Sequence, residues 1–223
     1  MRAEAGPSPY ALSRLRRARG KISLILASSS PRRRQLLRKL GIPFRVIPSR
    51  VPETSAHKRP VRLVEQLALR KAQAVVRRLA ERRFAKRRLA KRRSAERRYV
   101  VLGADTVVVL HRRIIGKPRS ARDARRMLGR LSGTTHQVYT GVALVDAASG
   151  NSVVSHARSD VRMKKISAGD LARLSRRHLD KAGSYAIQEK QDPIARVVKG
   201  SYDNVVGLPV GLVRRLLSSF PRS

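Results

Sequence analysis

The stretch from Ile22 to Gly41 constrains the chain most, because it spells a strand that runs straight into a helix suited to an anion. Ile22, Leu24, Ile25 and Leu26 make the short continuous apolar run of a buried strand. Ala-Ser-Ser-Ser-Pro-Arg-Arg-Arg follows at 27–34, where Ser30 suits the N-cap and Pro31 the first helical position. Leu36, Leu37 and Leu40 give one apolar helix face, and Gly41 closes it as a C-terminal cap. At that helix start, unpaired backbone N–H groups and the positive dipole end meet hydroxyls and the side chains of Arg32, Arg33 and Arg34. The combination invites a polyphosphate. The same arginines also fit a plain solvated helix start, and these residues alone leave the two readings level.

Phe44, Val46 and Ile47 predict a second strand, so the chain opens β-α-β. A loop with Pro52, Glu53 and Thr54 leads to Pro60, after which Val61, Val64, Leu67, Ala68, Ala72, Val75 and Leu79 keep helical spacing, with Lys71 among them. Residues 99–110 read as two β-rich apolar runs broken at Gly103-Ala104-Asp105-Thr106, and a lone carboxylate there suits a turn as well as a site. Gly116-Lys117-Pro118 follows, with Lys117 held extended by the proline. Ser120 and Asp123 form a capping box ahead of Ala124, Met127, Leu128 and Leu131. Strands are expected at 137–145, where Val138, Thr140, Val142 and Leu144 alternate, at about 153–163 and at 194–198. Ser167 opens a short helix, a glycine-containing loop spans 180–186, and a last helix starts near Val210. Strands interleaved with helices give an α/β fold.

Residues 77–98 break this pattern with a five-residue repeat holding twelve Lys/Arg against two Glu, a net +10 from one segment. A period of five turns a helix by about 140° per repeat, so its paired arginines wind around every face. Such a segment projects as a solvated helix or stays disordered, and reads as an insertion. With a formal charge of +38 over 223 residues, it makes non-specific nucleic acid one candidate partner, beside the plain reading of a charge-biased composition, since the arginines are spread along the chain. The first twenty residues are a second basic stretch, expected as a disordered arm before a domain at 21–223. Zero cysteines exclude disulfide and thiolate chemistry and fit a reducing compartment. No stretch is long and apolar enough to span a membrane, so the cytoplasm is the default. The five histidines lack metal-ligand spacing, and no Gly-Lys-Ser/Thr phosphate loop is present.

Taken in order, 27–34, the Gly103–Thr106 block, Gly116-Lys117-Pro118, DKAGSYAIQ at 180–188 and GSYDNVVGLP at 200–209 closely resemble the Maf family of nucleoside triphosphate pyrophosphatases. The resemblance runs from Ile22 to Phe220. It implies a mixed central sheet with flanking helices, in two lobes around a cleft, related to the inosine-triphosphatase architecture. It implies hydrolysis of dTTP, UTP or modified triphosphates to the monophosphate and pyrophosphate, with Asp105 as general base. Glu53 and Asp105 would hold a divalent cation, Mg²⁺ or Mn²⁺, since hard oxygen ligands suit both. Ser28, Ser30, Arg32 and Arg33 would grip phosphates, with Lys71 and Lys117 adding point charges. Gln188 matches the family glutamine at the base, and Thr106 with Arg32 matches the dTTP/UTP branch. Two departures stand out: Pro52 replaces an acidic neighbour of Glu53, and Gln188 lacks flanking glycines. A homodimer is a further expectation. The competing reading is a catalytically weak Maf-like module that uses its charge to sit on nucleic acid.

Overall fold

The computed structural model of the chain describes residues 22–89, 98–176, 182–185 and 194–220. The expected N-terminal arm and Gln188 lie outside the described residues. In chain order the elements are β1 (Ile22–Leu26), α1 (Pro31–Arg38), β2 (Phe44–Val46), α2 (Pro60–Leu89), β3 (Arg98–Leu110), β4 (Arg113–Ile115), α3 (Ala121–Leu131), β5 (Thr135–Asp146), β6 (Ser152–Met163), α4 (Ala168–Leu174), β7 (Ala195–Lys199), α5 (Tyr202–Val206) and α6 (Val210–Ser219). The strands form one mixed sheet in the order β2-β1-β3-β5-β6-β7, with β4 also paired to β3. β1 runs parallel to β2 and β3, and the other pairings are antiparallel.

β3 is continuous through Gly103–Thr106, contrary to the break expected there. It pairs with β5 from Val100 to Val109, so nothing turns at Asp105. Gly103 is in the strand because of what lies above it. A Cβ at Gly103 would fall onto the backbone carbonyl of Ala68, and one at Gly141 onto that of Val64, both on α2. The two glycines let the helix lie directly on the strands. Val64, Ala68 and Lys71 are spaced i, i+4, i+7 and share one helix face, so the glycine contacts also fix the height of Lys71 over the sheet.

Strand alternation divides the core. Odd positions of β3 face α2: Val101 packs with Ile25, Ala72 and Val75, while Val107 and Val109 pack with Leu63, Val64 and Leu67. Even positions face the other way and split into two clusters. Val100, Leu102 and Ala104 join α1 and α6, whereas Val108 and Leu110 join α3, α4 and Tyr185. Between them, at the seam of the two lobes, stands Thr106, with Thr140 opposite it on β5.

The basic repeat is helical in part. α2 continues to Leu89, and residues 90–97 lie outside the described residues. Its ends are integrated, against the expectation that it does not pack: Leu79 packs on the core, Arg78 donates to the Pro48 carbonyl at 2.8 Å, and Arg98 opens β3 with its Nε 2.5 Å from Asp146 Oδ2.

In the second lobe His136 is fully buried, its Nε2 2.6 Å from the Tyr185 hydroxyl. Burial holds the imidazole down at about 4 and pushes the Tyr185 phenol up. The unfolded chain binds a proton on this histidine near pH 6.5, the folded chain only near pH 4. Stability present above pH 6.5 therefore drains as the pH falls toward 4. The expected share is about 2 kcal/mol between pH 7 and about pH 5, read from urea midpoints, and His136→Gln removes it.

Candidate active site

β3 is longer than its neighbours on one edge, and that mismatch makes the site. β1 pairs with Arg98–Leu102 and β4 with Val108–Leu110, both on the edge away from β5. From Gly103 to Val107 this edge pairs with no strand among the described residues. β1 ends there, and Ala27–Ser30 lead off it into α1. Asp105 and Thr106 thus sit where the open edge meets a helix start. Being adjacent on a strand, they face opposite sides.

Asp105, on the α2 side, is 5% exposed, and Lys71 reaches its Oδ1 at 2.6 Å. The same ammonium reaches Glu53 Oε1 at 2.8 Å, and Lys117 takes Glu53 Oε2 at 2.6 Å. A buried carboxylate costs several kcal/mol (~3–5) when left unpaired, and Lys71, itself 5% exposed, supplies the partner. Burial pushes the Glu53 carboxyl up, but the hydrogen bonds from Lys117 and Lys71 outweigh it and hold it at about 2. Arg70 fixes the Glu53 loop by donating through Nη2 to the carbonyls of Pro52 and Thr54. Pro52, the residue that departs from the Maf pattern, is thus held by its backbone.

On the other side, Ser30 caps α1 by accepting from the Arg33 N–H at 3.4 Å. Ser28 Oγ accepts from the Ser30 N–H and from Arg33 Nη1, both at 3.3 Å. Arg33 also donates from Nε to the Gly207 carbonyl at 2.8 Å and from Nη2 to Thr106 Oγ1 at 3.1 Å. Burial lowers its pKa while the Asp105 and Glu53 carboxylates pull it back up. Arg32 is half-buried on the first turn of α1. The anion donors on one face of β3 and the carboxylate–lysine network on the other thus meet at two adjacent strand residues, near enough for the Asp105 and Glu53 carboxylates to act on Arg33.

A family model described as Maf-like protein matches residues 23–220. The chain belongs to the Maf family. The dTTP/UTP pyrophosphatase of Moorella thermoacetica is 44% identical over 200 residues, covering 88% of this chain and 94% of that protein. Those of Elusimicrobium minutum and Bacillus thuringiensis are 37% and 40% identical, covering 99% and 95% of their own lengths. Among solved structures, a HAM1 protein from Coxiella burnetii aligns at 16% identity and a TM-score of 0.43, covering 89% of this chain and 97% of that one.

Of the residues the Maf motifs single out, the structure brings together Ser28, Ser30, Arg33, Glu53, Lys71, Asp105, Thr106 and Lys117. It adds three that the motif reading passed over: Thr140, Asn204 and Gly207. Thr140 had a signal, since it is a polar residue in the inward register of a strand. Asn204 and Gly207 sit in the 200–209 block, where nothing local marks their carbonyls as acceptors. The donor set fits a hard divalent cation brought in by a triphosphate. Glu53 and Asp105 offer carboxylates close enough to share one ammonium, while no cluster of three or more acidic, His or Cys ligands occurs among the described residues. Phosphate oxygens and water would complete the shell.

Proposed function

We propose that this Maf protein hydrolyses dTTP and UTP to the nucleoside monophosphate and pyrophosphate. The observation that carries the reading is the buried Asp105–Lys71 pair on the open edge of β3, beside the α1 start. The names of the relatives support the substrates. The water oxygen attacks the α-phosphorus, the bond to the α–β bridging oxygen breaks, and that oxygen leaves with pyrophosphate and the electron pair. Asp105 takes the proton of the water, as general bases do in such steps. Ser28, Ser30, Arg32 and Arg33 bind the phosphate chain, and Lys117 with Lys71 offsets its charge. Glu53 and Asp105 would hold Mg²⁺ or Mn²⁺, which would supply further neutralisation of the phosphates. Gln188 contacts the base. The test is pyrophosphate release from dTTP, UTP, 7-methyl-GTP and the common triphosphates with either metal. dTTP and UTP are expected to turn over at least tenfold faster than the rest, a margin of about 1.4 kcal/mol in the barrier. An equal rate on 7-methyl-GTP would overturn the substrate reading.

The α2 extension favours a second, additional role. Leu79 packs on the core, and the helix goes on to Leu89, about 15 Å further at 1.5 Å per residue. Its charge supports salt-dependent, non-specific binding of nucleic acid. Anisotropy with a labelled duplex reads it, and affinity that does not fall between low and moderate salt would sink it.

A further inference from the structure

We propose that Thr140 and the Asn204 backbone position Arg33 through Thr106, so that Thr106 acts on the reaction through Arg33 and makes no contact with the nucleotide. The proposal rests on the reading of Arg33 as a phosphate ligand.

The direction of each hydrogen bond is fixed by counting protons. Thr140 is fully buried, and its single hydroxyl proton goes to the Asn204 carbonyl at 2.9 Å. Toward Thr106 Oγ1, 3.0 Å away, Thr140 can then only accept. Thr106 spends its own proton on Thr140 and presents a lone pair to Arg33 Nη2. The relay runs Arg33 to Thr106 to Thr140 to the Asn204 carbonyl, with no freedom to reverse.

The same carbonyl holds the other side of Arg33. Gly207, whose carbonyl takes Arg33 Nε, shares its own N–H between the Asn204 oxygen at 3.0 Å and the Asp203 oxygen at 3.1 Å. Gly207 has φ +117°, and a Cβ there would meet Thr106 Oγ1 at 3.4 Å and Arg33 Nε at 3.5 Å. Two of the acceptors that orient the guanidinium thus lead back to one atom. That atom is well anchored. Asn204 is fully buried, its Nδ2 donates to the Val138 carbonyl at 3.1 Å and to Ser159 Oγ at 2.9 Å, and its N–H donates to Ser201 Oγ at 3.2 Å. Arg33 keeps one N–H on each Nη for an oxyanion, aimed by a frame that spans both lobes. A planar donor held this way loses little freedom on binding phosphate.

The decisive variant is Thr140→Val, which keeps shape and removes the relay where no nucleotide reaches. We expect kcat/KM for dTTP to fall about tenfold, part of it as a rise in KM, and Thr140→Ser to restore it, as a positioning role requires. Thr106→Val is expected to show the same loss, with the ratio of dTTP to other triphosphates unchanged in both variants. In an Arg33→Lys background neither substitution is expected to lower the rate further, the non-additivity of one unit. A changed base preference in Thr106→Val with Thr140→Val silent would overturn the proposal, as would full additivity with Arg33→Lys. Inorganic tripolyphosphate binding, followed by calorimetry, separates this from the activity reading. It should weaken in Thr140→Val even if the wild-type chain hydrolyses no triphosphate, and unchanged binding would overturn the relay alone. If Thr140→Val does not fold, Thr106→Val against Thr106→Ser carries the same cycle.

Discussion

Asp105→Asn is expected to lower kcat for pyrophosphate release by about a thousandfold, the middle of the range for a positioned general base. The substitution is isosteric, and the amide oxygen can still accept from Lys71, which also keeps Glu53. The chain should therefore stay folded, and circular dichroism beside the assay checks it. The size of the effect follows from placement. Asp105 is nearly buried with a lysine on it, and it belongs to the stretch of β3 whose one edge pairs with no described strand. An ordinary strand carboxylate at a solvated edge would give a change of a fewfold at most.

The largest effect on stability should come from Gly141→Ala. Gly141 stands opposite Asp105 in the β3–β5 register, and its missing Cβ is what lets the Val64 carbonyl sit over the sheet. The obstacle is backbone on a long helix, so no side chain can rotate away. Overpacking of this kind should cost about 3 kcal/mol or more and lower the melting temperature by roughly 10 °C. Gly103→Ala meets the Ala68 carbonyl and should behave alike. Both should also slow turnover, because lifting α2 lifts Lys71 away from Asp105. A thermal melt and a rate measured on the same sample read the two together. Wild-type stability in either variant would mean that the helix does not bear on those glycines.

Much of this was legible where local chemistry decides. Ser30, Ser120 and Ser167 each cap the helix they were expected to open, accepting from Arg33, Asp123 and Asp170 respectively. The α2 periodicity from Pro60 held because its apolar residues face the sheet. Gly103 differs because a glycine within apolar residues looks like punctuation, while its cause here is the helix α2, earlier in the chain, that packs on top of it. α5 and β4 are five and three residues long, too short for a period to show. Asp105 and Lys117 of the candidate site stood in the 103–106 and 116–118 blocks, whereas Lys71 sat on an ordinary helix pattern and was marked by the resemblance alone. The frame around Arg33 had no such mark, because Arg33 and Gly207 are 174 residues apart and meet through a carbonyl that every residue has.

The most direct test of the central claim is to run dTTP hydrolysis in ¹⁸O-labelled water with wild type and Asp105→Asn, and to follow the products by phosphorus NMR. The expected result is one pyrophosphate per dTMP, with the label on the dTMP phosphate and both products nearly absent with the variant. Orthophosphate and dTDP, label in the pyrophosphate, or an undiminished rate in Asp105→Asn would contradict it.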